Sequence, residues 1–321
     1  MRSLAAMLLL LLPSWLPLAA EEPPPGRFVA VGYGGRRISS IDGVAWEHDQ
    51  RKNNEEKDND DVLFDVTYGL GRFVAVGGDA RAGRMLSTTD GASWRPLPSV
   101  AGRVAAIAFG HGRFVAAHDA ELLWSTDGES FTVGERLDWR GSVHARRMAC
   151  GDTEAGYRFV VIGEIDLWSE QRRVSWRGAT SDGALWDHRA LETAPASDVA
   201  YGTGIFVVVG PAGSVETSHD GQTWLRREFP PSEGLIRVVW TGRRFLASNE
   251  RACWSSPDGV EWKREPVTLP CPIAWAREEP LFLALGFSWG GNLWTASSLT
   301  AWRRPPLGAG PSLQAVAFGR Q

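Results

Sequence analysis

The apolar positions of this chain fall in short β-branched and aromatic runs, each bounded by glycine, and the runs recur. Val66-Thr67-Tyr68-Gly69, a tight Leu70-Gly71, then Arg72-Phe73-Val74-Ala75-Val76-Gly77 is one such pair, and Ile107 to Gly110 followed by Arg113-Phe114-Val115-Ala116 is another. A third joins Val199-Ala200-Tyr201-Gly202 to Phe206 through Gly210, with looser versions around Phe159, Phe245 and Phe282. An apolar run that stops at a glycine-rich turn and resumes at once predicts two strands of a hairpin. A second signature, Ser/Thr-x-Asp-Gly-x-x-aromatic, follows each pair. Its copies centre on Asp42, Asp90, Asp127, Asp182, Asp220 and Asp258, and a worn seventh ends at Trp302 with Ser298 and Leu299 where Asp and Gly would stand. Each signature reads as strand, turn, strand, so one unit predicts four strands and just under forty residues, with insertions in two places.

The two ends complete the pattern. Arg27-Phe28-Val29-Ala30-Val31-Gly32 is a second strand lacking its first, and Val316-Ala317-Phe318-Gly319 is a first strand lacking its second. Paired together they make a seventh unit and leave no long sheet edge exposed. The residues after position 20 divide into seven units of about 43 each, the length of a four-stranded propeller blade. The expectation is an all-β, seven-bladed β-propeller of four-stranded blades, a single domain over 21–321, its ring closed by the C-terminal strand pairing in the first blade.

The aspartate of the second signature has a structural reading. A carboxylate in a tight turn accepts backbone N–H bonds that the hairpin leaves open, the following glycine takes the positive φ, and the terminal indole packs between sheets. Burying that ring contributes about 2–3 kcal/mol. Six such copies resemble the Asp-box (bacterial neuraminidase repeat, sialidase-like) propellers across nearly all of residues 26–321. That resemblance implies that the boxes lie where the third strand meets the fourth, on the rim away from the ligand face. It does not imply an activity, because the group spans sialidases, xyloglucan hydrolases, a sorting-receptor ectodomain and a photosystem assembly factor.

Composition narrows the setting. Arg2, the apolar run Leu4 to Leu18 and the small Ala19-Ala20 before Glu21 read as a signal peptide over 1–20, which predicts a secreted or periplasmic protein with no membrane span after cleavage. With 34 Lys and Arg against 38 Asp and Glu, no basic stripe suits nucleic acid. Three cysteines cannot build a disulfide scaffold; Cys253 and Cys271 either pair or lie buried as small apolar groups. The chain is expected to act as a monomer.

Candidate chemistry sits in the insertions, which the strand order places opposite the boxes and which read as long loops. The first, Glu47 to Asp61, is acidic; it is a solvated loop or, through Asp58, Asp60 and Asp61, a calcium site, although the EF-hand spacing fails. No other cofactor is indicated. The second, Thr132 to Arg147, and the third, Glu164 to Ser175, carry Asp138, Trp139, Arg140, His144, Arg146 and Arg147, then Glu164, Asp166 and Trp168. Exposed indoles beside arginines and carboxylates compose a contact patch for a carbohydrate or an extracytoplasmic protein; the alternative buries the indoles beneath their loops. Catalysis finds less support. Tyr68 and Tyr201 occupy a repeated aromatic position rather than that of a nucleophile, Tyr33 and Tyr157 lack an evident partner, and a glycosidase would have to use nonrepeating acids such as Asp138 or Asp166. A noncatalytic binding propeller is therefore the leading expectation and a divergent glycoside hydrolase the competing one.

Overall fold

The computed structural model describes residues 26–51, 61–230, 234–267, 270, 272–276, 281–286, 293–308 and 310–320. Their strands form seven four-stranded antiparallel sheets. The first strands of successive sheets touch one another around a closed circuit, which makes the sheets blades of one propeller. Blade one is composite. Leu313–Gly319 pairs with Arg27–Gly32, Phe28 opposite Phe318 and Ala30 opposite Val316, and Arg37–Ser40 and Glu47–Gln50 complete the sheet. Blade two begins at Leu63–Gly69, blade three at Val104–Gly110 and blade four at Ser142–Thr153. Blades five, six and seven begin at Asp198–Gly202, Arg237–Trp240 and Ile273–Trp275.

Each strand alternates side chains between the two faces of its blade, and both faces meet a neighbour. The buried core is therefore a set of interblade layers. Val29 and Val31 of blade one pack with Leu63 and Phe73 of blade two, while Phe28 and Ile38 on the other face meet Leu283 and Leu293 of blade seven. The recurrent aromatic-glycine pair has a specific role here. A Cβ on Gly69 would lie 2.1 Å from the Phe109 ring of blade three, and one on Gly202 would lie 2.2 Å from the Trp240 ring of blade six. The first-strand rings of Tyr68, Phe109, Tyr201 and Trp240 thus rest on the bare backbone of the preceding blade. Tyr68 and Tyr201 are two of these rings, and their hydroxyls donate to the carbonyls of Arg320 and Asp152. In blade four the position holds Cys150, and Tyr157 from the second strand covers Gly110 instead.

The six Ser/Thr-x-Asp-Gly turns lie between third and fourth strands. At Asp90, Oδ1 accepts the N–H groups of Ala92 at 2.8 Å and Ser93 at 2.7 Å, while Thr88 Oγ1 donates to it at 2.8 Å and accepts from Gly91 N at 2.9 Å. Gly91 has φ +69°. Asp42, Asp127, Asp182, Asp220 and Asp258 make the same bonds to the second and third residues beyond them. In the worn copy, which lacks the aspartate, Trp302 Nε1 donates to Leu299 O at 2.8 Å, as Trp46 and Trp262 donate to Gly43 O and Gly259 O.

The insertions differ from the long loops their composition suggests. Glu47–Gln50 is the outer strand of blade one and Thr132–Arg136 that of blade three. Ser142–Thr153 and Gly156–Leu167 are strands of 12 residues each, and Arg172–Thr180 returns from a turn at Trp168–Glu170. Blade four consequently projects beyond the disc on the face opposite the boxes. Of the three calcium candidates, Asp58 and Asp60 lie outside the described residues. Asp61 is buried and ion-paired with Arg84. Cys253 is buried with a free thiol, which burial pushes up to about 12, so it is a small core residue; Cys271 lies outside the described residues.

Two outcomes follow from this architecture. Deleting residues 313–321 removes the strand that completes blade one, and the cooperative thermal transition is expected to disappear in calorimetry. At Asp90 and Asp220 partial burial opposes ionisation, yet the N–H and hydroxyl donors outweigh it and hold the carboxyl at about 2. At Asp127 the N–H groups of Ser130 and Glu129 lead, with the same result. These folded values lie below the unfolded value of about 3.9, so the boxes stabilise fully above about pH 4 and lose that contribution as the pH falls toward 2. Asp220→Ala is expected to cost about 1–2 kcal/mol at pH 7 in urea titration, and the difference from the parent protein should shrink below pH 3.

Candidate functional site

Two adjoining cavities open beside blade four. The smaller, about 420 Å³, is lined by Phe64, Arg103, His144, Arg146, Arg147, Glu164 and Arg173, among others. The strand register explains why these side chains converge. The first strands of blades two, three and four each carry a bulge, between Leu63 and Asp65, Val104 and Ala106, and Ala145 and Arg147. The bulged residues Phe64, Ala105 and Arg146 all line this cavity, as expected of an extra residue that re-aims its side chain. Glu164 and Arg173 arrive from the second and third strands of blade four, where those strands run past the disc.

The polar groups are tied to one another. Arg146 Nη2 lies 3.0 Å from Glu164 Oε2, and Arg173 Nη1 lies 3.6 Å from the same oxygen. Arg173 also forks onto Asp166, Nε to Oδ1 at 2.6 Å and Nη2 to Oδ2 at 3.1 Å, and His144 Nε2 is 3.2 Å from Oδ2. The Arg173 hydrogen bond, with His144 adding to it, keeps the Asp166 carboxyl below the usual carboxylate range. A group held ionised in this way is poorly suited to donate a proton.

Beneath this cavity lies a set of charges from four different blades, Asp198 and Arg237 buried, Asp65 and Arg147 half-buried. Asp65, Arg147, Asp198 and Arg237 share one position, three residues before the ring-bearing position of each first strand, which Cys150 fills in blade four. Asp65 Oδ2 accepts Ile107 N of blade three at 3.0 Å and Oδ1 accepts Val66 N at 2.9 Å. Asp198 repeats the arrangement, with Val238 N of blade six at 3.0 Å and Val199 N at 3.0 Å. Each aspartate therefore clasps the next blade. Burial raises both carboxyls, with Arg147 and Arg237 opposing it. Arg237 is lowered to about 10 by burial and by Arg147, against the pull of Asp198 and Asp65. Arg147 Nε is 3.9 Å from Asp198 Oδ1.

The larger cavity, about 630 Å³, lies against blades three and four, and its lining includes Arg103, Asp138, Trp139, His144 and Trp168. Trp168, at the tip of the projecting hairpin, is 72% exposed. Trp139 is half-buried, its ring 5.4 Å from Trp176 at 70°. Trp139 is thus partly covered, whereas Trp168 is open to solvent. Of the sequence candidates, Asp138, Trp139, His144 and Trp168 share this cavity, and His144, Arg146, Arg147 and Glu164 share the smaller one. Asp166 stands behind Arg173, and exposed Arg140 lines neither. Among the described residues no group of His, Cys, Asp or Glu has the makings of a metal site.

Sequence reasoning missed Phe64, Arg103 and Arg173 at the cavity and Asp65, Asp198 and Arg237 beneath it. A signal for the last three was present. Asp65-Val66-x-Tyr68-Gly69 and Asp198-Val199-x-Tyr201-Gly202 are the same string, and Arg147 and Arg237 occupy its first column.

These features define the class of the molecule, a seven-bladed β-propeller with one extended blade. No protein-family model and no curated protein sequence matches the chain. Solved structures similar to it share the fold. The periplasmic gluconolactonase PpgL of Pseudomonas aeruginosa is 11% identical, with TM-score 0.58 over 92% of this chain and 99% of its own. The WD40 propeller domain of Doa1 is 9% identical, with TM-score 0.52 over 94% of each chain. A chain of a nidogen–laminin complex is 10% identical, with TM-score 0.50 over 91% of this chain and 98% of its own.

Asp198→Ala is expected to destabilise the fold by about 3 kcal/mol, because Val238 N–H loses its acceptor and the guanidiniums of buried Arg237 and half-buried Arg147 lose a counter-charge. Asp198→Asn should recover part of this, since an amide oxygen still accepts an N–H. Chemical denaturation of both variants provides the measurement.

Proposed function

We propose that the protein is an Asp-box propeller, exported to the periplasm or the extracellular space, that binds carbohydrate without catalysis on the face bearing the extended blade. The observation that carries this reading is the exposed Trp168 ring on the wall of the same cavity as half-buried Trp139 and the polar Asp138 and His144. Indole faces stack on the C–H faces of a pyranose, and neighbouring polar groups orient its hydroxyls. The extended strands hold Trp168 on a hydrogen-bonded hairpin, so little order has to be acquired on binding.

The hydrolase reading is weaker on chemical grounds. Glu164 and Asp166 are both engaged by arginines, and Asp166 is held ionised, so neither is placed to protonate a leaving group. The Tyr157 hydroxyl is raised by burial and by Cys150, which opposes its use as a nucleophile.

A screen of the full chain against immobilised glycans tests the proposal. Binding is expected for the parent protein and a loss of about tenfold or more for the Trp139→Ala, Trp168→Ala double variant with its melting temperature retained. Binding that survives the double variant would show that this cavity is not the site. Hydrolysis of chromogenic glycosides abolished by Asp138→Asn or Asp166→Asn would establish the enzyme instead.

A further inference from the structure

The charges on the first strands of blades two, four, five and six make contacts that skip a blade. Arg237 of blade six donates through Nη2 to Gln314 O of blade one at 3.1 Å, past blade seven, whose first strand touches those of both. Asp65 of blade two faces Arg147 of blade four and Arg237 of blade six across the axis. The attractions of Asp198 to Arg147 and Arg237, by contrast, join neighbours. Local packing does not call for charge at this position, since blade three holds Ala106 there and blade one Ala315. A desolvated set of opposite charges is typically no more stabilising than apolar side chains of equal volume, so stability alone does not account for it.

The interblade layers do not count blades. Each joins one sheet to the next through β-branched and aromatic side chains, and such a layer accepts a modest change in the angle between sheets. Blade one adds a choice of partner, because its first strand, Leu313–Gly319, comes from the far end of the chain. Two copies that lend this strand to each other bury the same layers in a wider ring, a form of domain swapping that needs no new contact. What the wider ring loses is the axis. Blades that are not neighbours move apart, Arg237 no longer reaches Gln314 O, and Asp65 no longer faces its two guanidiniums. Those attractions belong to the single-chain ring alone. We propose that the axial charges are a closure device, which selects the seven-bladed ring of one chain against wider rings shared between chains. Choosing a register or an assembly state is the best-attested use of polar groups withdrawn from water.

Refolding of the full chain from urea, read by size exclusion with light scattering and by far-UV circular dichroism, tests this. The combined variant Asp65→Asn, Arg147→Met, Asp198→Asn, Arg237→Met removes every charge of the set and keeps an amide oxygen for each clasped N–H. It is expected to melt within a few degrees of the parent. It should nevertheless return about fivefold less monomer, the balance being soluble assemblies with the parent's dichroism. Monomer recovered as fully as from the parent would overturn the device, and so would losses confined to material without that dichroism. Arg237→Met and Arg237→Lys are refolded alongside. Lys keeps a cation and a donor at the axis, so it should recover most of the monomer that Met loses. Equal monomer from these two would overturn the proposal even where the combined variant fails to fold. A lowered melting temperature with an unchanged monomer share would do the same, since that is the behaviour of an ordinary structural contact.

Discussion

A four-stranded antiparallel sheet with apolar side chains on both faces is not stable alone, and every blade here depends on a neighbour on each side. The contact that enforces this is the first-strand ring resting on the glycine of the blade before it. Tyr68 lies on Gly319, Phe109 on Gly69, Tyr201 on Gly151 and Trp240 on Gly202, at separations no side chain could share. Those contacts are directional, and the first strands of successive blades touch all the way round, so the dependence must end where it began. The pairing of Leu313–Gly319 with Arg27–Gly32 satisfies that condition by placing the two termini in one sheet. Stability is thus a collective property of the ring, and the Asp boxes stitch individual hairpins into it without crossing between blades.

Much of this was legible beforehand because it repeats. The aspartate turns, the glycine-bounded pairs and the split first blade all rest on local chemistry recurring at a fixed interval. The insertions were misread for a physical reason. Where the strands of blade four leave the disc they have no neighbouring blade on both sides, so half of their side chains turn polar. Glu164-Ile165-Asp166-Leu167 alternates as a strand should, with Ile165 and Leu167 buried and the two acids half-buried. Its charge content made it resemble a loop. Arg103 and Arg173 gave no signal at all, since a single arginine among so many acquires meaning only when bulges and strand extensions bring it to a common cavity.

The charges beneath that cavity show how a cavity wall and a scaffold share residues. Asp65 and Asp198 are desolvated, which costs stability, yet each clasps the N–H of the following blade and faces the guanidiniums of Arg147 and Arg237. Removing one member leaves the others uncompensated in a low-dielectric setting, whereas the complete set is close to neutral. Arg147 belongs to this set and also reaches the cavity above it. The electrostatics of the open site are therefore fixed by groups that no ligand touches.

The asymmetry of blade four has a steric meaning of its own. First strands elsewhere run to at most seven residues, while two strands of this blade run to 12; in register with blade two, three residues of each, Ser142 to His144 and Ile165 to Leu167, pass the end of the disc on this face, an overhang of roughly 10 Å at about 3.3 Å per residue. Such a fin rules out flush seating of any broad, flat surface on that side of the disc. A slender, flexible chain lying alongside the fin would meet no such obstruction.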